Sequence, residues 1–349
     1  MEKEFWGKSP TGQDISKYTI RTKSGSYFVT MDFGGTLLEL HVPDRDGKLS
    51  DVVLGFQDLE AYFVNEPGFG CLISPYANRV GGAKFELNGK TYQLEVNDNR
   101  NCLHSGSHPL HRKMWDVVQT DDHSITYFVH KEDMECGFPG NVDLTVTYSL
   151  SDDNRLDIHY HAVSDQDTYL NLTNHSYFNL GGHDSGSILD QKVWIDADAF
   201  TPTDAELIPT GEIAPVDNTP MDLRTPRTLR AGFTNYDYEP IRFGHGYDHN
   251  YVLKTTPGQV SLVGSLEDEK TGRLMEIYTD MPGMQIYSGN YLTPSPLGKG
   301  GFPYQPGYGV AFETQYFPDA VNQPSFPQPL VKAGEPFDST TSYYFKTVE

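Results

Sequence analysis

Apolar side chains recur at every second position along much of this chain. Val142, Leu144, Val146, Tyr148 and Leu150 form one such series, and Leu156, Ile158, Tyr160 and Ala162 form the next. A period of two sends successive side chains to opposite faces, so both stretches predict half-buried β-strands. Ile125, Tyr127 and Val129 repeat the pattern, as do the residues near Val260 and Leu262 and the run Met284-Gln285-Ile286-Tyr287 ahead of Ser288-Gly289-Asn290. Asn88-Gly89 lies between Phe85-Glu86-Leu87 and Lys90 to Val96. A two-residue Asn-Gly turn tolerates the left-handed backbone of a tight hairpin, and it sets Phe85 opposite Tyr92 and Ala83 opposite Leu94.

Convincing helical periodicity is almost absent. With 33 Gly, 23 Pro and 13% aromatic residues, the chain reads as many strands joined by ordered turns. That composition predicts an all-β fold, a large sandwich or barrel with very little helix. A length of 349 residues suggests two domains by size alone, but large all-β units run longer. No composition shift, repeat or low-complexity tract marks a boundary. The Pro-rich passages around Pro202 to Pro226 and Pro294 to Pro306 carry aromatic, apolar or Gly residues that suit packed loops. The expectation is one domain over residues 1–349.

A chain of this size buries a core large enough to stand without staples. Cys71, Cys102 and Cys136 are odd in number, widely spaced and free of any CxxC pair, so they offer neither a disulfide framework nor a zinc signature. The N-terminus has no basic stretch followed by an apolar run, and no later segment approaches a membrane span. A cytoplasmic location and no membrane partner are therefore expected. The formal charge of −22, from 48 acidic against 26 basic residues, opposes nucleic acid or anionic lipid on any broad surface and disfavours a phosphorylated substrate. Neutral ligands are the simplest expectation.

Five segments gather polar groups that a strand-rich core does not need for packing. They are Pro75-Tyr76-Ala77-Asn78-Arg79, Asn101-Cys102-Leu103-His104-Ser105-Gly106, Thr173-Asn174-His175-Ser176-Tyr177-Phe178-Asn179-Leu180, Gly246-Tyr247-Asp248-His249-Asn250 and Phe312-Glu313-Thr314-Gln315. Any one alone has a bland explanation, a hydrogen-bonding His in a turn or a structural ion pair. Their combination and order argue otherwise.

In that order the segments resemble the aldose 1-epimerase (galactose mutarotase) family, from Asn78-Arg79-Val80-Gly81 near the start to Glu313 near the end, over nearly the whole chain. The resemblance implies a large antiparallel β-sandwich, the galactose mutarotase-like supersandwich, with an open sugar-binding cleft. It implies interconversion of the α and β anomers of a free hexose such as galactose or glucose, without a cofactor or metal. By the same carry-over Glu313 is the general base and His175 the general acid. Arg79 and His104 lie around the ring oxygen and neighbouring hydroxyls, Asp248 binds sugar hydroxyls, and Asn78 and Gln285 help to line the cleft. Ser105 stands where many members carry Gly, which bears on the placement of His104.

The reaction suits these residue types. Opening an aldopyranose removes the proton from the C1 hydroxyl and delivers one to the ring oxygen, two opposite transfers that commonly contribute roughly 10² to 10⁴ in rate each. A carboxylate and a protonated imidazole supply them, and closure on the other face reverses them. Asp248 and Arg79 could fix the remote ring while C1 stays free to turn. An acidic protein with Asp248 and Glu313 nearby is expected to favour the charged form of His175.

Other features carry less. His159 and His161 share one strand face, but no neighbouring acidic or thiol residue in sequence completes a metal site. Gly181 to Gly186 lacks the Lys and strand-to-helix setting of a phosphate loop and reads as a turn. Tyr177 and Phe178 are candidate platforms for a sugar ring. Three other readings stay open: a hexose-phosphate mutarotase, which would need a basic cluster; a sugar-binding or sensing protein without turnover; and a glycoside-processing enzyme using Asp248 and Glu313. Whether the chain is a monomer or a homodimer is also open.

Overall fold

In the computed structural model, which describes residues 1–348, the alternating stretches pair as strands Val142–Leu150 and Arg155–Ser164. They belong to a nine-stranded sheet that runs outward through Ser124–Lys131 and Asp116–Thr120 on one side. On the other side it continues through Pro336–Thr347, Arg273–Thr279, Ser261–Asp268, Lys192–Ile195 and Arg227–Thr228. Tyr127, Val146, Tyr148, Ile158 and Ile277 bury its inner face. His159 and His161 lie on the outer face, and strand pairing brings them the acidic neighbour that the local sequence lacks. Asp338 Oδ1 lies 2.9 Å from His161 Nδ1 and 3.4 Å from His159 Nε2.

The Asn-Gly hairpin forms as expected, with Phe85 opposite Tyr92 and the Leu94 N–H donating to the Ala83 carbonyl at 2.7 Å. One stretch differs in phase. Val260 and Leu262 are exposed, while Val263 and Leu266 enter the core, because a bulge between Leu262 and Gly264 shifts the register against the neighbouring strand. An extra residue on one strand reverses the faces beyond it, and a period-two pattern cannot show where that happens.

A six-stranded sheet packs on the inner face, in the order Tyr177–Phe178, Val310–Gln315, Gly283–Tyr287, Asp248–Val252, Ala199–Phe200 and Ala214–Pro215. Its contacts with the larger sheet fix which side chains go where. The Tyr343 hydroxyl donates to the Phe312 carbonyl at 3.0 Å, the hydroxyls of Thr314 and Thr341 meet, and the rings of Phe178 and Tyr343 lie 4.7 Å apart. Val310, Phe312 and Thr314 therefore face the core, and Ala311, Glu313 and Gln315 face the other way. On that second face Glu313, Gln285 and Asn250 are aligned across three strands, and Tyr287 is aligned with Asp248.

Five N-terminal strands, Glu2–Lys8, Asp14–Arg21, Tyr27–Met31, Leu37–Pro43 and Leu49–Asp51, form a meander beside these layers. Among the described residues the α-helices are Leu59–Val64, Arg230–Phe233 and Glu239–Gly244, none longer than six residues. Among the described residues no helix is long and apolar enough to cross a membrane. The all-β expectation with little helix agrees with this architecture.

Arg273 ties the meander to the nine-stranded sheet. Its side chain is 1% exposed and donates to three backbone carbonyls: Leu180 at 2.8 Å, Lys48 at 3.0 Å and Val42 at 3.3 Å. Leu180 O also accepts the Thr271 hydroxyl and Lys48 O the Asp44 N–H, so what is lost with the cation is three charge-assisted bonds made from one buried guanidinium. Arg273→Met, which keeps most of the volume, is expected to cost about 3 kcal/mol or more. The check is the urea midpoint of unfolding; a midpoint within error of the parent protein would show that the guanidinium is dispensable.

Candidate active site

The second face of the six-stranded sheet floors a cleft of about 930 Å³. Asn78, Arg79, His104, His175, Asp248 and Glu313 all line it. Gln285 does not: its side chain is buried behind Asp248 and donates Nε2–H to Asp248 Oδ1 at 2.7 Å. Its position in the middle strand explains this, since Gln285 is flanked by Glu313 on one side and Asn250 on the other.

His175 reaches the cleft because it lies between two short pairings. Thr173–Asn174 pairs with Leu72–Ile73, and Tyr177–Phe178 pairs with Phe312's neighbours Ala311 and Val310. Its own backbone is pinned at both ends, with its N–H donating to Cys71 O at 2.9 Å and its carbonyl accepting from Gly70 N–H at 3.2 Å. Gly70 has φ +66°, and a Cβ there would lie 1.9 Å from the Leu37 carbonyl oxygen, so only glycine lets the chain pass. The asparagines of this segment are structural. Asn174 Nδ2 donates to Gly70 O at 3.1 Å, and Asn179 Oδ1 accepts from Gly181 N–H and from the side chains of Ser185 and Gln191. Of the two candidate platforms, Tyr177 lines the cleft, whereas Phe178 packs into the core.

Asn78 and His104 hold each other. The Asn78 N–H donates to His104 Nδ1 at 3.1 Å, and the His104 N–H donates to the Asn78 carbonyl at 3.1 Å. A ring nitrogen that accepts a backbone N–H carries no proton, so the proton of neutral His104 sits on Nε2. Burial, with His175, Arg79 and His111 nearby, holds this imidazole well below its usual range. His104 is thus a fixed neutral donor. Ser105, the departure from the family pattern, supports that geometry: its hydroxyl donates to Tyr76 O and accepts from Tyr76 N–H, both at 2.8 Å.

The acidic members lie close together. Glu313 is 2% exposed, and its Oε1 lies 3.5 Å from His175 Nε2. Neither Glu313 Oε2 nor His175 Nδ1 has a hydrogen-bond partner among the described residues. Burial pushes the Glu313 carboxyl well above its usual range, Asp248 adds to the shift, and Arg79 opposes it. Burial lowers His175 to about 4, and the charge of Asp248 only partly offsets it. The expectation that nearby acids favour charged His175 fails here because desolvation outweighs them. Burial thus favours the uncharged form of both groups, the carboxyl and the neutral imidazole.

Asp98 is the residue that sequence reasoning missed. Arg79 Nε donates to Asp98 Oδ2 at 2.7 Å, while Arg79 Nη1 lies 3.7 Å from Asp248 Oδ2. The signal available beforehand was weak, an acid in an Asn-rich loop 19 residues from its partner. His111, Arg112, Tyr287 and Tyr291 also line the cleft.

Among the described residues two clusters have metal-ligand spacing, with ligand atoms within 4.8 Å of one another: His104, His175 and Glu313, and separately Glu39, His41 and Asp51. In the first, the protonated Nε2 of His104 offers a donor rather than a lone pair. In the second, the Lys299 ammonium already contacts Asp51.

Comparison with known proteins gives a consistent picture. Residues 16–344 match the family model described as aldose 1-epimerase. The chain is 40% identical over 346 residues to a galactose mutarotase from Mus musculus, covering 99% of this chain and 98% of the relative. It is 33% identical over 339 residues to an aldose 1-epimerase from Escherichia coli strain K12, covering 97% of each. A crystal structure of an aldose epimerase homologue from C. elegans superposes with a TM-score of 0.87 at 28% identity, covering 95% of this chain and 99% of that one.

Three buried histidines test the electrostatics of the site. His175 and His249 are held down to about 4 and His111 to about 3, chiefly by burial. Each folded value lies below the 6.5 of a free imidazole, so the unfolded chain binds more protons between those limits. Their stabilisation is complete above about 6.5 and is lost as pH falls through about 4 for His175 and His249 and about 3 for His111. Glu313, shifted upward, works in the opposite sense as a single group. Imidazole resonances followed by NMR in the sugar-free protein should show all three neutral at pH 5.5, about one pH unit below the free value. Titration of His175 at or above 6.5 would show that its charged neighbours, and not the loss of water, govern its proton.

Proposed function

The chain belongs to the aldose 1-epimerase family and interconverts the α and β anomers of an aldose; on that premise we propose that Glu313 is its general base and His175 its general acid. The observation that carries this reading is the pair itself, a carboxyl and an imidazole 3.5 Å apart, both buried and each with an unpartnered atom. Between them they exchange one proton. The charged arrangement, carboxylate and imidazolium, has the groups that open a pyranose: the carboxylate takes the C1 hydroxyl proton and the imidazolium gives one to the ring oxygen. That step leaves the uncharged arrangement, which closes the aldehyde by the reverse transfers. The preference of the buried site for the uncharged pair thus matches the state that meets the open sugar. Hydroxyls of a bound pyranose replace water and stabilise the charged arrangement.

The substrate is a free hexose such as D-galactose or D-glucose. Asp248 accepts from ring hydroxyls, while Arg79, His104 through Nε2 and Asn78 donate. These contacts fix the remote ring and leave C1 free to rotate. Charge in the cleft supports a sugar without phosphate. Its lining carries Asp58, Glu60, Glu66 and Asp248 against Arg79 and Arg112, and Arg79 is already held by a carboxylate. The three cysteines are unpaired, which suits a reducing compartment such as the cytoplasm.

Optical rotation of freshly dissolved α-D-glucose and α-D-galactose measures the activity directly. The parent protein is expected to speed the decay of both. Glu313→Gln and His175→Asn should each lose about 10² or more in kcat with the fold intact. A chelator should leave the rate unchanged, because neither transfer uses a metal. A folded Glu313→Gln protein with the parent rate would remove Glu313 from the chemistry.

A further inference from the structure

Arg79 lies between two carboxylates and engages them unequally. Its Nε donates to Asp98 Oδ2 at 2.7 Å, a full charge-assisted hydrogen bond. Its Nη1 stops 3.7 Å from Asp248 Oδ2, too far for one. All three side chains are mostly shielded, at 12%, 22% and 10% exposure for Arg79, Asp98 and Asp248. In so dry a setting a free guanidinium would close on the nearest carboxylate. Gln285 donates to Asp248 Oδ1 at 2.7 Å, and Oδ2 is the oxygen that faces Arg79.

We propose that Asp98 is a positioning residue that holds Arg79 off Asp248 and so keeps the Asp248 carboxylate open to sugar hydroxyls. The loop around it is built to stay still. The Asp98 N–H donates to Asn101 O at 3.2 Å, and the Asn101 N–H returns to Asp98 O at 2.8 Å. Asn97 accepts the Leu103 N–H at 2.7 Å and donates to its carbonyl at 2.9 Å. Leu103 in turn pairs with Arg79 in the two-stranded ribbon Arg79–Val80 and Cys102–Leu103. Asn101 accepts the Gly82 N–H at 2.9 Å. Cation and counter-ion therefore ride on one hydrogen-bonded unit, while Asp248 sits on a different sheet. The separation of 3.7 Å is set between those two bodies. Binding contacts to the sugar depend on it, whereas the Glu313–His175 pair does not touch Asp98.

This inference rests on the reading that Arg79 and Asp248 bind the sugar, and the experiment separates the two. Kinetic constants for galactose are measured for the parent protein, Asp98→Ala, Asp248→Asn, Arg79→Ala and the double variant Asp98→Ala/Asp248→Asn. Asp98→Ala should raise KM about 10-fold or more with kcat changed less than about 3-fold, the signature of lost binding rather than lost chemistry. Once Asp248 is neutral there is nothing for Arg79 to close upon. The double variant should then show a KM within about 2-fold of Asp248→Asn alone. A general loosening of the fold would instead multiply the two effects, and that result overturns the proposal, as does an unchanged KM in Asp98→Ala. Asp98→Asn, which keeps the shape and an acceptor for Nε, serves the same cycle if the alanine variant does not fold. If Asp248→Asn and Arg79→Ala both retain the parent KM, the sugar-binding reading of the cleft falls, and this inference with it.

Discussion

Everything in the cleft follows from burying a carboxyl and an imidazole together where little of either is left to water. Glu313 and His175 are 2% and 5% exposed. An isolated ion there would cost several kcal/mol even after relaxation, so two groups that can cancel their charges by moving one proton are the stable arrangement. A pair whose charged and uncharged forms differ by one short transfer is also what ring opening and closure require. The same desolvation that lowers His175 and raises Glu313 reverses the preference of the free groups, which in water are carboxylate and imidazolium. Function and folding cost thus draw on one interaction.

That interaction depends on a strand kept in strict phase. Phe312 and Thr314 are held against Tyr343 and Thr341 of the larger sheet, and this leaves Glu313 no choice of face. His175 comes from a different part of the chain. It is delivered by the turn between two minimal strands, and buried asparagines keep that turn in shape. Asn171 adds a third tie: its side chain accepts the Tyr316 N–H at 2.8 Å and donates to Ala77 O at 3.3 Å, joining the end of the Glu313 strand to the Asn78-Arg79 loop. Fixed donors matter because His104 and His249 have their protons assigned by the backbone. His249 accepts the Asp248 N–H at Nδ1 and so donates through Nε2 to Pro240 O.

Period-two alternation makes the long strands and the Asn-Gly hairpin legible, because side-chain burial there depends only on which face a residue takes. It is blind to the bulge that inverts the phase at Val260 and Leu262, since a bulge is a property of the pair and not of one strand. The candidate residues are legible mainly through family resemblance, and that resemblance does not say that Gln285 lies behind Asp248 rather than in the cleft. Asp98 is not legible at all, because an acid in a loop gains meaning only when a distant cation arrives beside it. The protonation of His175 escapes for a related reason. Counting acidic residues measures charge, while the imidazole responds first to the loss of water.

Arg79 shows how these constraints interlock. Burial alone would lower its tendency to stay charged, and Asp248 and Asp98 together reverse that effect. The cation is therefore stable in the cleft only because two carboxylates face it. If both bonded it fully, the Asp248 oxygen that faces the cation would be engaged in place of the sugar; if neither did, a buried guanidinium would stand without a bonded counter-charge. An unequal division, one carboxylate bonded and one held just out of reach, satisfies both demands at once. It also moderates the field at Glu313, where Asp248 raises the carboxyl and Arg79 lowers it. Burial sets the proton affinity of the base that works at C1, and the two groups that grip the remote ring push on it in opposite senses, so the chemistry depends on their charges less than the binding does.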